Sequence, residues 1–462
     1  MEISLNQCPV RHHALQHPEQ VAIQSEQQSL TYRQLDLQLN DLKKQLLKKG
    51  LTAGDRLVCI APNSIKLIQL QLSCLRTGII FCPINARFSQ HEIDIRLTIL
   101  NSPFIWYEEI NSTLASNSLE FDFTPSTAEK QTQTELTINS LRAIDIIFTS
   151  GSSGQPKAVM HSFSNHFYSA QGSQKLIPLL KDDYNLLSLP LYHISGYAAV
   201  FRTMLAGARL VFSKQPITTA LLQHYKITHL SLVATQLYRL LADPEFKQDN
   251  LAIKHLLLGG SAFSKQLLNQ TRQRKLNYHL SYGLTEMSSQ VATSSNNTIL
   301  TILPDRDVKI VDGEILLRGK TRFVGYFIGH QTSKLIPTEQ WFASKDLGIK
   351  TNNQLHIIGR KDRQFICAGE NIQPEEIEGW LITLDEIKQA YIVPIEDPIL
   401  GHRPVAFIDW QKTPLENEQI NKHMRLKLAP FKCPVHYFPL PKQSGLKISL
   451  AALAEQAIEL LN

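Results

Sequence analysis

The sequence holds no cysteine arrangement that reads as a motif. Its six cysteines, Cys8, Cys59, Cys74, Cys82, Cys367 and Cys433, include no Cys-x-x-Cys, and no His/Cys group falls at metal-ligand spacing. Zinc ribbons, dithiol redox centres and disulfide-stapled scaffolds are therefore set aside, and reduced thiols in a cytoplasm are expected. No apolar run approaches the roughly 18–20 residues that cross a bilayer as a helix, so no integral membrane segment is expected. The opening Met1-Glu2-Ile3-Ser4-Leu5-Asn6 lacks the basic stretch and apolar block of a secretory signal. Internal repeats, low-complexity tracts and blocks of one charge sign are also missing. The net charge of +6 is scattered, which mildly favours anionic substrates but builds no nucleic-acid module.

What is present is a long, soluble-type chain of 462 residues, too long for one ordinary core. Short β-branched runs alternate with amphipathic stretches. Arg56–Pro62, Ile79–Ile84, Ala143–Phe148, Tyr184–Leu189, Arg209–Phe212, Thr228–Val233 and Lys254–Leu258 read as strands. Ser64–Arg76 and Gln90–Leu100 read as helices. This is the pattern of layered α/β with largely parallel sheets. After about residue 300 the pattern changes. Asp307–Arg318 alternates around Asp312-Gly313, a hairpin turn signal, and Gln354–Ile358 follows Asn352-Asn353, so a small antiparallel β subdomain is expected. From Asp362 a smaller α+β unit follows: a helix from Pro374, strands near Gln389–Val393 and Val405–Trp410, a helix from Glu416, and a strand near Val435–Phe438. The expected domains are 1–361 and 362–462.

The strongest motif is Thr149-Ser150-Gly151-Ser152-Ser153-Gly154-Gln155-Pro156-Lys157, after an apolar strand and before an expected helix. Its hydroxyls, glycines and lysine can wrap a triphosphate with backbone N–H, O–H and ammonium donors. It is not a Walker A loop, because Pro156 precedes the lysine and Ala158 follows it. Gly259-Gly260-Ser261-Ala262 ends another strand and allows close approach to a flat ring. Tyr282-Gly283-Leu284-Thr285-Glu286 offers an oxygen anion to a hard cation and a hydroxyl to a phosphate.

In this order the motifs resemble the acyl-adenylate-forming superfamily, over essentially the whole chain. The resemblance implies a large N-terminal domain and a small mobile C-terminal one, with ATP, Mg²⁺ and coenzyme A as reactants and cofactor. It implies that the loop residues Thr149 to Gly154 and Lys157 hold the phosphates. Gly260, Ser261, Tyr282 and Gly283 would flank adenine, Thr285 would bond the α-phosphate, and Glu286 would hold the metal. Asp346 and Arg360 match the ribose pair, Asp362 the hinge, and Gly369 the loop lining the pantetheine tunnel. Lys447, in Ser444-Gly445-Leu446-Lys447-Ile448, matches the lysine of the first half-reaction. The chain departs from common family patterns at Ala234, at Asp305 and Asp307, and at Arg363.

The acid substrate is read from Leu187 to Arg202. Ser195 is expected to cap a helix whose Ala198, Ala199 and Arg202 share its face, leaving room and a distant cation. Spacing alone favours a packed helix with Arg202 in a surface salt bridge. This segment resembles the bacterial o-succinylbenzoate–CoA ligases of menaquinone synthesis. So do the stretch from His161 to Ile177-Pro178, Ala206-Gly207-Ala208-Arg209, Gln373-Pro374-Glu375-Glu376 and Gly401-His402-Arg403-Pro404-Val405. That resemblance implies Arg202 facing a ring carboxylate, Ser195 lining the pocket and His193 beside the reacting carboxylate. A ligase for another aromatic or short-chain acid, and a non-catalytic nucleotide-binding scaffold, stay open, as does self-association.

Overall fold

The computed structural model describes residues 3–108, 118–124, 134–149, 156–260, 263, 265–329, 334–335, 339–367, 370–397, 400–426, 428, 430–441 and 448–461. Its contacts form two compact units. The first comprises Met1–Ala262, Thr271–Val308 and Leu317–Phe342; the second comprises Phe263–Gln270, Lys309–Leu316 and Ala343–Asn462.

The first unit is built on two mixed sheets. In the seven-stranded one, Arg56–Ile60 runs parallel to Ile80–Ile84 and Ile105–Tyr107, and Ile80–Ile84 parallel to Ala143–Thr149. The direction then reverses: Ala143–Thr149, Lys157–Ser162, Gly325–Phe327 and Lys334–Leu335 pair antiparallel in turn. In the other sheet, Val21–Gln24, Arg209–Val211, Tyr184–Leu186, His229–Leu232, His255–Leu258 and Tyr278–Leu284 form parallel neighbours. Ser289–Thr293 and Leu300–Ile302 close it antiparallel. The parallel strands are short apolar runs buried on both faces, as a helix-covered sheet requires.

The core includes the helices Tyr32–Lys48, Ile65–Thr77, Phe163–Ser173 and Ile194–Ala206. Ile65–Thr77 starts on a Ser64 cap, whose hydroxyl accepts the Leu67 N–H, and stops at Gly78 with φ +72. It is buried nearly all round and carries Arg76 inward to Asp36 at 2.7 Å, where Arg11 also arrives at 2.9 Å. Ala234 begins the helix Ala234–Leu241, a first position where proline is merely favoured. Asp305 takes φ +63, the conformation a glycine would supply.

In the second unit Glu370–Ile372, Phe365–Cys367, Gly401–Trp410 and Ile387–Asp397 form an antiparallel sheet, with Tyr437–Pro439 parallel to Gly401–Trp410. Ile377, Leu381, Ile392, Ile408, Ile420 and Met424 pack one face; Val393, Val405, Phe407, Leu453 and Ala457 pack the other. Its Phe342–Thr351 and Gln354–Arg360 strands form a hairpin turning at Asn352, φ +54.

Candidate active site

The glycine-serine loop does not lead into a helix, contrary to the sequence expectation. Lys157 opens the strand Lys157–Ser162, paired antiparallel with Ala143–Thr149 so that Thr149 faces Lys157. Ala158–Ser162 is buried between neighbouring strands, where its Val and Met suit a sheet better than a helix start. The helix begins only at Phe163, behind a reciprocal capping box: the Ser162 hydroxyl accepts the Asn165 N–H, and Asn165 Oδ1 accepts the Ser162 N–H. The strands on either side of the loop thus pair antiparallel, and Lys157 starts a strand rather than a helix. Ser150, Gly151, Ser152, Ser153 and Gly154 lie outside the described residues. Lys157 is exposed, its ammonium 5.4 Å from the centre of the Tyr326 ring.

Tyr282 and Gly283 end the strand Tyr278–Leu284, and Thr285–Met287 makes a single 3-10 turn. A side chain at Gly283 would put its Cβ 2.0 Å from the Ser289 carbonyl oxygen, so the close return of the chain demands glycine here. The turn is clamped from outside. The Thr285 carbonyl accepts from Ser288 N–H at 3.0 Å and from His161 Nε2 at 2.7 Å. The Glu286 carbonyl accepts from Phe323 N–H at 2.9 Å, and the Ser288 carbonyl from the Ser169 hydroxyl at 2.6 Å. The Glu286 carboxylate accepts the Tyr326 hydroxyl at 2.9 Å. Burial, and then the neighbouring Glu286 charge, push the Tyr326 phenol well above its ordinary pKa, so it remains a donor. An oxygen-only carboxylate with a protein donor on one oxygen fits a hard divalent cation. Gly260, at φ +83, follows His255–Leu258 on the next strand; Ser261 lies outside the described residues.

Sequence reasoning missed the group behind this turn. Asp145 is fully buried, with one carboxylate oxygen 2.7 Å from His161 Nδ1 and the other 2.7 Å from His166 Nε2. Asp145 and His161 are direct cross-strand partners. The available signal was an acid inside the run Ala-Ile-Asp-Ile-Ile-Phe, because a buried carboxylate needs partners.

On the acyl side, the helix Ile194–Ala206 begins two residues earlier than a Ser195 cap would place it. His193 is the N-cap, extended at φ −111 and ψ 144; its carbonyl accepts the Tyr197 N–H, which makes Ser195 a helical residue rather than a cap. Ala198 and Ala199 are packed in the interior. Of the residues expected on that face, Arg202 lines a cavity, together with Ser173, Asn185, His229, Ser231 and His255. Its guanidinium donates to Gln290 Oε1 at 3.4 Å, and among the described residues no carboxylate pairs with it, so the surface salt bridge is not found. Desolvation pulls its pKa down to about 10.

In the second unit, register joins the expected ribose pair: Asp346 faces Arg360 across the hairpin, with Nη1 to carboxylate 3.1 Å. Arg360 also donates twice to Asp362, at 3.0 and 2.8 Å. That fork holds the Asp362 carboxyl below its usual range. Arg363 donates to Glu375 at 2.8 Å and to Glu378 at 2.6 Å, so the departure from a second acid is matched by two acids on the helix Pro374–Leu381. Gly369 and Lys447 lie outside the described residues.

Comparison with known proteins adds to this geometry. The model of the AMP-binding enzyme family matches residues 10–327, and that of the AMP-binding enzyme C-terminal domain matches residues 376–444. The 2-succinylbenzoate–CoA ligase of Escherichia coli is 34% identical over 455 residues, 97% of each chain. A solved arginine-to-lysine variant of E. coli MenE with bound OSB-AMS superposes with a TM-score of 0.85 at 32% identity, over 99% of both chains. The Bacillus subtilis o-succinylbenzoate coenzyme A synthetase in complex with ATP and magnesium ion gives a TM-score of 0.85 at 25% identity, over 97% of this chain and 99% of that one.

Proposed function

The chain belongs to the AMP-binding enzymes, and from that premise we propose that it is an ATP-dependent ligase converting 2-succinylbenzoate and CoA to 2-succinylbenzoyl-CoA, AMP and diphosphate, in menaquinone biosynthesis. The observation that carries the substrate assignment is Arg202: a desolvated cation at a cavity with no protein carboxylate, among the described residues, to neutralise it. An acid bearing a second, remote carboxylate supplies that counter-charge; a fatty tail does not.

The chemistry runs in two displacements. A carboxylate oxygen of the acid attacks the α-phosphorus of ATP and the bond to the β,γ-diphosphate breaks, leaving the acyl-adenylate. The CoA thiol then loses its proton and attacks the acyl carbon, forming the thioester as the bond to AMP breaks. In this reading Lys157 and the loop from Thr149 to Gly154 hold the phosphates, and Thr285 bonds the α-phosphate. Tyr282, Gly283, Gly260 and Ser261 flank adenine, and Asp346 with Arg360 takes the ribose. Glu286 would hold Mg²⁺, which neutralises phosphate charge when bound. His193 and Ser195 line the acid, Lys447 bridges acid and α-phosphate, Gly369 borders pantetheine, and Asp362 is the hinge between domains 1–361 and 362–462. Cytoplasmic placement fits six buried cysteines that form no disulfide.

The test is thioester formation from 2-succinylbenzoate against benzoate and medium-chain acids, each with ATP, Mg²⁺ and CoA. Preference for 2-succinylbenzoate by kcat/KM is expected. A better rate with another acid replaces the substrate assignment, and absence of diphosphate release with every acid leaves a nucleotide-binding scaffold.

A further inference from the structure

Asp145, His161 and His166 bring three metal-ligating side chains together in a fully buried place, with their ligand atoms within 4.8 Å of one another. Their spacing is that of hydrogen bonds. Around a tetrahedral zinc with ligands at about 2.0–2.1 Å, neighbouring ligand atoms stand roughly 3.3 Å apart; here each Asp145 oxygen lies 2.7 Å from an imidazole nitrogen.

The protonation pattern follows from the partners. His161 Nδ1 meets a carboxylate, and its Nε2 meets the Thr285 carbonyl; neither oxygen can donate while Asp145 is ionised. Both ring nitrogens must therefore carry protons, so His161 is an imidazolium paired with the Asp145 carboxylate. Burial works against that charge, but the Asp145 carboxylate outweighs it and raises the His161 pKa. For Asp145 the two imidazoles outweigh burial and lower the carboxyl's pKa. His166 donates Nε2–H to Asp145, and its Nδ1 has no partner among the described residues, which suits a neutral ring. Tyr197 and Phe201 pack against His166 with centroids 4.9 and 5.2 Å away, which fixes that ring.

We propose that Asp145 and His161 are positioning residues for the Thr285–Glu286 turn: the imidazolium grips the Thr285 carbonyl and so sets where the Thr285 hydroxyl and Glu286 carboxylate stand toward ATP and its magnesium. This rests on the ligase assignment above. Both side chains are fully buried, which suits a role through the turn rather than on substrate. The grip acts on the one turn that carries both groups, and it comes from the strand leaving the phosphate loop, so loop and turn share a frame.

His161→Phe keeps an aromatic ring and removes both donors; His161→Gln keeps an N–H able to reach a backbone carbonyl. With full-length protein, the expected result for His161→Phe is a KM for MgATP raised about tenfold or more, with the KM for the acid within twofold of wild type. ATP binding measured calorimetrically in Mg²⁺, without acid, should weaken by a similar factor. His161→Gln should recover MgATP binding to within about threefold. Unchanged MgATP binding, an equal rise in both KM values, or a Gln variant as impaired as the Phe variant would overturn the proposal. So would stoichiometric zinc in the wild type that is lost in His161→Phe. If wild-type protein makes no thioester, the ligase assignment fails, while the calorimetric arm still decides the role of His161.

Discussion

Tyr326 donates its hydroxyl to the Glu286 carboxylate at 2.9 Å, and the same ring lies under the Lys157 ammonium at 5.4 Å. One aromatic residue, from the strand Gly325–Phe327, thereby ties the acid proposed for the metal to the lysine proposed for the phosphates. Its strand pairs with Lys157–Ser162, with Tyr326 opposite Val159, which keeps the three groups in register.

Tyr326→Phe should keep the ring under Lys157 and release Glu286. A hydrogen bond to a charged group is worth about 1.5–3 kcal/mol, and water replaces part of it, so the Mg²⁺ concentration for half-maximal diphosphate release should rise about three- to tenfold. Tyr326→Ala should cost more, because the cation–π contact goes as well. Titration of Mg²⁺ at fixed ATP reads both; identical curves for the Phe and Ala variants would mean that the ring contributes nothing.

Asp362→Pro and Lys447→Ala should separate the two half-reactions. Proline fixes φ and resists the backbone change a hinge needs, so adenylation should survive and thioester formation fail. Lys447→Ala should block adenylation while leaving thioester formation from supplied acyl-adenylate largely intact. Normal overall turnover in Asp362→Pro would remove Asp362 from the hinge role; equal loss of both steps in Lys447→Ala would remove Lys447 from the adenylation face.

Much of this arrangement was legible as local signal, and the failures have a common cause. Asp312-Gly313 turns as expected, with φ +50 and +76, and Asn352 likewise turns its hairpin, because left-handed turns demand those residue types. Gln90–Leu100 begins on the Ser89 and Glu92 capping box, a four-residue pattern that needs no tertiary context. The Ser195 cap failed because His193, with no side-chain cap bond, already holds the extended conformation there. The strand after the phosphate loop was missed because Lys157–Ser162 is too short for periodicity to decide. Asp145 with His161 and Tyr326 with Glu286 both depend on strand register or packing, which is set by partners distant in sequence.

Asp36→Asn should be strongly destabilising. Asp36 is fully buried between Arg11 and Arg76, at 2.9 and 2.7 Å, and Arg76 is itself buried. Removing one partner of a buried ion pair costs about 3–5 kcal/mol, because the remaining charges stay desolvated. A lower denaturant midpoint for the first unfolding transition should report this, with the affinity for ATP in the surviving native fraction unchanged. A shift below about 1 kcal/mol would show that the two arginines find water or another acceptor.

Arg202→Ala tests substrate identity. The guanidinium lies on the cavity with Gln290 as its described hydrogen-bond partner, and Gln290 is anchored in turn through Thr293 Oγ1 at 2.9 Å. A carboxylate arriving there exchanges water for a charge-assisted bond, worth about 1.5–3 kcal/mol. Loss of that bond should lower kcat/KM for 2-succinylbenzoate by roughly one to two orders of magnitude. An analogue with the succinyl arm but no ring carboxylate should be nearly indifferent, since it never made the contact. The ratio of the two effects isolates the contact from any damage to the helix Ile194–Ala206, as a double-mutant cycle does with protein partners. Equal losses on both substrates would make Arg202 a packing residue. The acid would then have to be identified by the substrate panel alone.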